Sequence, residues 1–342
     1  MKLKSFFSFF LVLTLILSCC GCSFFNNGSA TMVSEEEVTK APEPSLNLAV
    51  LKNNAASLGL LELMKNAQEN ETNYNINVAN NEKEIIKLLD EGKIDAATLP
   101  LITAIRYYNS GKTPVKMLYS ASYMTVKMLS TKNDVKSVRD FKNQSIYTPG
   151  KHTLETASLF YLIHVQHLHY KDKSFTPNFK YANDYNHLLK LIDSDRVNYC
   201  VVSEPLATMV MDKYPDFKVC FEPENDYEED LKAVNMVQDC VVITDKYLND
   251  NPRAVETFMT RCKTSIVYSN YNTHSAAKLA ELYQLVASSD LAMKMIQNSK
   301  LVFVDSSVIT YNNRFLFSDT SDLITKFNLY NGYPPESDFF YR

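Results

Sequence analysis

From residue 46 to residue 130 the chain alternates short apolar runs with amphipathic stretches, and this alternation limits the possible fold more than any other feature. Residues 46–51, 74–79 and 95–99 have the length and apolar character of strands. Between them, residues 57–68 place Leu60, Leu61, Met64 and Ala67 on one helical face. Residues 82–91 do the same with Ile85, Ile86 and Leu89, and Gly92 follows as a stop. A helix over 101–109 and a long β-rich stretch over 115–130 complete the unit. The order β-α-β-α-β predicts a parallel sheet covered by helices.

A second unit repeats the pattern. Residues 137–141 read as one helical turn, and 145–148 as a strand ending at Pro149-Gly150. Thr153 caps a helix running to Leu168. Strand 179–182, helix 185–193, strand 199–203, helix 205–213 and strand 217–221 continue the series. After a strand over 240–244 the chain reads as helical to its end, over 252–268, 275–287, 290–298 and 310–329. With 342 residues the chain exceeds what one compact core usually holds. The expected molecule is α/β and bilobed: residues 46–142 and 241–342 in lobe 1, and 143–240 in lobe 2. The chain is expected to cross between lobes near 130–143 and 237–245. A ligand belongs in the cleft, where loops leave the C-terminal ends of strands.

The first 22 residues carry an address. Lys2 and Lys4 precede an apolar run over 6–17, followed by Ser18-Cys19-Cys20-Gly21-Cys22. This is the layout of a secretory signal, and the run is too short for a permanent bilayer span. The cysteine cluster gives it the look of a bacterial lipoprotein signal. Cys19 is the best candidate for acylation, after apolar Ile16 and small Ser18, with Cys22 the alternative. Residues 1–18 are then a signal peptide and 19–45 a polar, acidic, disordered tether. The expected location is extracytoplasmic, anchored to the bacterial membrane by lipid.

Composition removes several classes. Lys and Arg total 35 against 39 Asp and Glu, so no basic face for nucleic acid is expected. No two of the seven glycines fall within six residues, which excludes phosphate-cradling and dinucleotide loops. Cys200, Cys220, Cys240 and Cys262 read as small hydrophobes, since four in so long a chain are no disulfide framework. His164, His167 and His169 read as a solvated helix edge, and the acidic stretch 222–230 as an exposed loop. No nucleophile elbow or zinc-protease motif occurs, so neither a metal, a cofactor nor an enzymatic activity is expected.

Ile94-Asp95-Ala96-Ala97-Thr98-Leu99-Pro100, the stretch Val135 to Tyr147, Tyr199 through Glu204-Pro205, and Cys240 to Tyr247 with Asn251-Pro252 occur in a familiar order. In that order they resemble the extracytoplasmic solute-binding lipoproteins of ABC importers. That group includes nitrate, alkanesulfonate, taurine and thiamine-pyrimidine-precursor binders. Phe141 and Asn143 stand where the family pattern has leucine and glycine. The resemblance implies a periplasmic-binding-protein type II fold, two α/β lobes joined by a two-segment hinge. It also implies a small polar or anionic solute, an ABC permease as partner, and a monomer. An enzyme of the same fold related to pyrimidine synthase, or a surface adhesin or signalling receptor, are the alternatives.

The candidate ligand contacts follow the strand-to-helix loops. Gly150, Lys151, His152 and Thr153 precede a helix whose free N–H groups attract anions; the bilobed order favours that reading over an ordinary capped turn with solvated side chains. Glu204, after Ser203, either accepts from an N–H-bearing ligand or simply favours the helix dipole beside Pro205. Asn53 and Asn54 suit a neutral polar ligand or a plain turn. Thr98 and Pro100 close the third strand on the same edge, and Tyr123, with Tyr119, is placed to stack on a planar solute or to fill the hinge.

Overall fold

The computed structural model describes residues 43–132, 135, 137–165, 178–223, 237–311 and 337–342. The expected signal, both candidate acylation cysteines and nearly all of the tether lie outside these residues. So do His167, His169, most of the acidic stretch and most of the helix expected over 310–329. Glu43–Arg342 forms one compact unit containing two sheets.

The first sheet contains β1 (Leu46–Leu51), β2 (Tyr74–Ala79), β3 (Ala96–Pro100), β4 (Val115–Tyr123), β10 (Val237–Thr244) and β11 (Lys300–Asp305), in the order β11-β4-β10-β3-β1-β2. The second contains β5 (Val126–Ser130), β6 (Ser145–Thr148), β7 (Asn178–Tyr181), β8 (Tyr199–Ser203) and β9 (Lys218–Phe221), in the order β7-β6-β8-β5-β9. Among the described residues, twelve helices accompany them. In the first unit these are α1 (Ala55–Leu58), α2 (Leu61–Gln68), α3 (Glu82–Asp90) and α4 (Leu101–Ser110). In the second they are α5 (Leu154–Val165), α6 (Tyr185–Asp193) and α7 (Leu206–Lys213). The chain then continues through α8 (Asp245–Asp250), α9 (Pro252–Tyr271), α10 (Thr273–Leu282), α11 (Ser289–Asn298) and α12 (Ser306–Tyr311).

Strand alternation separates the cores. Leu46, Leu48 and Val50 enter one apolar cluster, while Ala49 and Leu51 enter another on the opposite face. β8 divides likewise, with Tyr199 and Val201 on one face and Cys200 and Val202 on the other. The cluster holding Ala49 continues through Met124 and Val126 to Phe141 and Tyr199, so one core runs from sheet to sheet. Cys200, Cys240 and Cys262 are buried and all four described cysteines are free.

Several expectations need correction. The sheets are mixed, not parallel: β2-β1-β3 and β7-β6-β8 are parallel, whereas β10, β11, β5 and β9 run antiparallel. β5 pairs with β8 and β9, so the chain passes to the second sheet at Met124-Thr125, ahead of the expected 130–143. On the return, β10 lies wholly in the first sheet from Val237, so the expected crossing at 237–245 is strand and the passage falls between Phe221 and Val237. β11 was missed: Leu301-Val302-Phe303-Val304 pairs along β4 instead of joining a helical tail. The helix expected over 57–68 is two helices, broken at Gly59-Leu60, where the chain packs against Ile266 of α9.

Candidate functional site

The first crossing brings Thr125 against Gln238, near the start of β10, beside the end of β8. Gln238 donates from Nε2 to the Glu204 carbonyl (2.7 Å) and accepts at Oε1 from Thr125 N–H (3.3 Å). Glu204 N–H donates to the Thr125 carbonyl (3.1 Å). Beside them Asp239, only 2% exposed, accepts from Asn54 Nδ2 (2.8 Å), Ser122 Oγ (2.7 Å) and Gln238 Nε2 (3.2 Å). Burial pushes the Asp239 carboxyl up to about 6, against the pull of those three donors, and the nearby Glu155 charge adds to the rise. The hinge is therefore a satisfied polar network inside an apolar strand pair.

On the first-sheet side, Asn54 caps α1, its Oδ1 accepting from Ser57 N–H (3.3 Å). Thr98 is fully buried: its Oγ1 accepts from Leu51 N–H (3.0 Å) and meets Ser57 Oγ at 2.8 Å. These two side chains are occupied in holding the β1 and β3 loops. Asn53 is half-buried in the left-handed region at φ 52°, with its N–H on the Leu285 carbonyl (3.2 Å). Pro100 and Tyr123 are half-buried at the ends of β3 and β4, and burial raises the Tyr123 phenol.

On the second-sheet side, the Gly150 carbonyl accepts from the hydroxyls of Thr148 (3.2 Å), Thr153 (3.2 Å) and Thr156 (2.7 Å), which fixes the loop before α5. Lys151 and His152 are exposed. Desolvation lowers the His152 imidazole, helped by Arg106 and Lys151. Arg106, on α4, donates to the His152 carbonyl (2.8 Å) and so bridges the two lobes. Glu204 is fully buried with its carboxylate engaged: Oε1 lies 3.0 Å from Lys127 Nζ, and Oε2 accepts from Thr208 N–H (3.1 Å). Its role in the fold is that of a helix-start carboxylate paired with a lysine.

Ser203 leads to a residue that sequence reasoning missed. Its Oγ donates to Glu155 Oε1 (2.6 Å), and the Tyr185 hydroxyl donates to the same oxygen. Glu155 is 5% exposed. In the first lobe, Glu82 at the start of α3 accepts from the Thr103 hydroxyl. Burial raises the Glu82 carboxyl, Thr103 and Arg106 oppose that rise, and Glu155 adds to it. Glu155 thus acts electrostatically on both Glu82 and Asp239 of the first lobe. An acid in a helix's first turn is explained by the helix dipole alone, which hid Glu82 and Glu155. Gln238-Asp239 inside an otherwise apolar strand was a readable signal, because buried polar side chains demand partners.

A second bridge closes the opposite flank, where Lys294 of α11 lies 2.7 Å from Asp212 of α7 and Asn298 Nδ2 donates to Thr208 Oγ1 (2.9 Å). A cavity of about 550 Å³ lies elsewhere, lined by Lys116, Leu248, Pro252, Asp338 and Tyr341 at the other end of β4 from Tyr123. Among the described residues no helix is long and apolar enough to cross a membrane, and no cluster of three metal-ligating side chains occurs.

No protein-family model matches the chain, and no curated protein matches it. Solved structures do. An ABC transporter protein from Parabacteroides distasonis aligns with TM-score 0.67 and 17% identity, over 87% of this chain and 99% of that one. The ligand-binding component of an ABC-type import system from Staphylococcus aureus, solved with zinc bound, aligns at 0.65 and 15%, over 87% and 96%. The alkanesulfonate-binding protein SsuA from Xanthomonas axonopodis pv. citri, bound to MOPS, aligns at 0.61 and 13%, again over 87% and 96%. The shared architecture is the bilobed α/β periplasmic-binding-protein fold.

Proposed function

We propose that this chain is the solute-binding component of an ABC import system, a receptor that captures a small polar solute between its lobes and presents it to a permease. The observation that carries the reading is the meeting of strand-end loops from two separate sheets across one hinge, with Arg106, Glu155 and Asp239 at their junction. One neighbour in fold is described as the ligand-binding component of an ABC-type import system and another as an alkanesulfonate-binding protein. In this reading Asn53, Pro100, Tyr123, Ser203 and the edge Gly150–Thr153 face the solute, while Asn54, Thr98 and Glu204 hold the loops that present them. A bound solute stabilises the closed arrangement through the contacts it makes with both lobes at once.

The reading extends to location: export, acylation of Cys19 or alternatively Cys22, a tether over 19–45, and a monomer working outside the cytoplasm at the end of that tether. Cell fractionation tests it. Cys19→Ser is expected to release the protein from the membrane fraction; retention in Cys19→Ser and release in Cys22→Ser would move the anchor to Cys22. The receptor role is tested by thermal denaturation against a metabolite panel, with a rise of several degrees expected for the true solute. Absorbance of a Lys–pyridoxal adduct would favour the enzyme of the same fold instead.

A further inference from the structure

Asp239 is buried in the hinge strand β10, and none of the ion pairs among the described residues includes it. Its partners are donors only. Asn54 Nδ2 meets Oδ1 at 2.8 Å, while Ser122 Oγ (2.7 Å) and Gln238 Nε2 (3.2 Å) meet Oδ2. Asn54 belongs to the β1–α1 loop, Ser122 to the end of β4 ahead of the first crossing, and Gln238 to the return strand. One carboxylate therefore joins a strand-end loop of the site to both strands of the hinge.

Two of the three donors cannot be turned round. Asn54 Oδ1 already accepts from Ser57 N–H (3.3 Å), so flipping that amide would set N–H against N–H at the start of α1. Gln238 Oε1 accepts from Thr125 N–H (3.3 Å) and Nε2 also donates to the Glu204 carbonyl (2.7 Å), so a flip there mismatches both. Only the Ser122 hydroxyl can rotate to accept. A proton arriving on Asp239 therefore settles on Oδ2, pointed at Ser122. It displaces the Gln238 donor from that oxygen and leaves Asn54 donating to a neutral carbonyl, a weaker acceptor than a carboxylate.

We propose that Asp239 is a positioning residue of the receptor and its proton switch: the carboxylate holds the Asn53–Asn54 loop against the hinge for capture, and the neutral acid releases it. This rests on the receptor reading above and gives its site a proton-linked control. The working range lies near pH 6, where Asp239 titrates. Its surroundings leave that range to it. On β10 and at the end of β4, burial raises the Cys240 thiol and the Tyr123 phenol. Glu204, reached through Gln238, is paired with Lys127, and Glu155 of α5 adds negative charge. Neither α1 nor β3 carries a titratable side chain. On α4, which packs on β10, Arg106, Tyr107 and Tyr108 are bonded to the His152 carbonyl, Asp90 and Asp338.

The test is hydrogen exchange read by mass spectrometry on the full mature chain at pH 5 and pH 7.5, with rates normalised to unstructured peptide. In the parent, residues 52–60 are expected to be about fivefold less protected at pH 5. Asp239→Asn offers Asn54 a neutral carbonyl and Ser122 a donor, as the protonated acid does. It is expected to show the parent's low acid protection at both pH values. Asn54→Ser keeps a cap for α1 but is too short to reach Asp239, and should also abolish the pH dependence. Residues 258–266 of α9 are the internal control and should not follow. Groups such as Glu82 and His152 are present in parent and variants alike, so the comparison cancels them. The panel metabolite with the largest thermal shift is then titrated: it is expected to bind the parent about fivefold more weakly at pH 5, and Asp239→Asn equally weakly at both. Protection that rises on acidification, or the same acid loss in Asp239→Asn, would overturn the proposal. Affinity that ignores pH while the loop loosens would overturn it too, leaving the receptor reading standing. A panel without a binder would count against the receptor reading, and the exchange data would still decide the role of Asp239.

Discussion

At the residue scale, the behaviour of Asp239 with pH follows from its burial. Its folded value near 6 lies above that of an unfolded aspartate. The folded chain therefore holds a proton that the unfolded chain has released. The resulting stabilisation is present below about pH 4 and is lost as pH rises through 6. In Asp239→Asn this dependence disappears. The stability difference between variant and parent is expected to move in the variant's favour by roughly 2–3 kcal/mol between pH 4 and pH 7. Denaturant titrations at both pH values measure it, and a difference that stays constant would show that the three donors outweigh desolvation. Lys127→Ala makes a second prediction. It leaves the fully buried Glu204 carboxylate without its cation and should cost about 3 kcal/mol or more; a loss below 1 kcal/mol would mean that Thr208 N–H and the helix start suffice.

At the element scale, legibility varied for physical reasons. β1, β2, β6 and β8 were readable to the residue because each is a short apolar or alternating run bounded by polar turns. The passage from β4 to β5 was invisible. Tyr123, Met124 and Thr125 include no glycine or proline, and two strands in different sheets read as one long β-rich stretch. The break between α1 and α2 was hidden in the same way, since Leu60, Leu61 and Met64 keep a helical period across it. Gly59 is the clue to that break. A Cβ there would meet Ile266 Cγ1 at 2.8 Å and the Ala56 carbonyl at 3.2 Å. Gly59→Ala is expected to lose about 1–3 kcal/mol by overpacking, read from the denaturation midpoint. Gly59→Ala combined with Ile266→Ala, which removes the Cγ1 that the new Cβ meets, should cost less than the sum of the two single variants, and strict additivity would place the strain in the backbone. The candidate site was legible as loop positions, but the acids that give it character lie in helix first turns, where sequence offers a sufficient explanation without them.

At the scale of the whole molecule, ties between the lobes among the described residues include the Gln238–Asp239 hinge, the Arg106–His152 bridge and the Lys294–Asp212 pair with Asn298–Thr208 beside it. The hinge is buried, whereas the Lys294–Asp212 pair is exposed and contributes little on its own. Lys294→Glu, which sets two carboxylates face to face, should shift the unliganded protein toward an open form and weaken solute binding without unfolding it. Solution scattering of that variant would detect a larger radius of gyration; an unchanged radius would show that the flank does not hold the lobes. The proposed receptor works by closing around a solute. The most direct measurement is the distance between spin labels at Lys83→Cys on α3 and Lys180→Cys on β7, one in each lobe, in stripped protein and in protein carrying its co-purified solute. A longer, broader distribution is expected after stripping, with a return to the short distance when solute is restored. One identical distribution in both states, with solute verified in the protein, would contradict it.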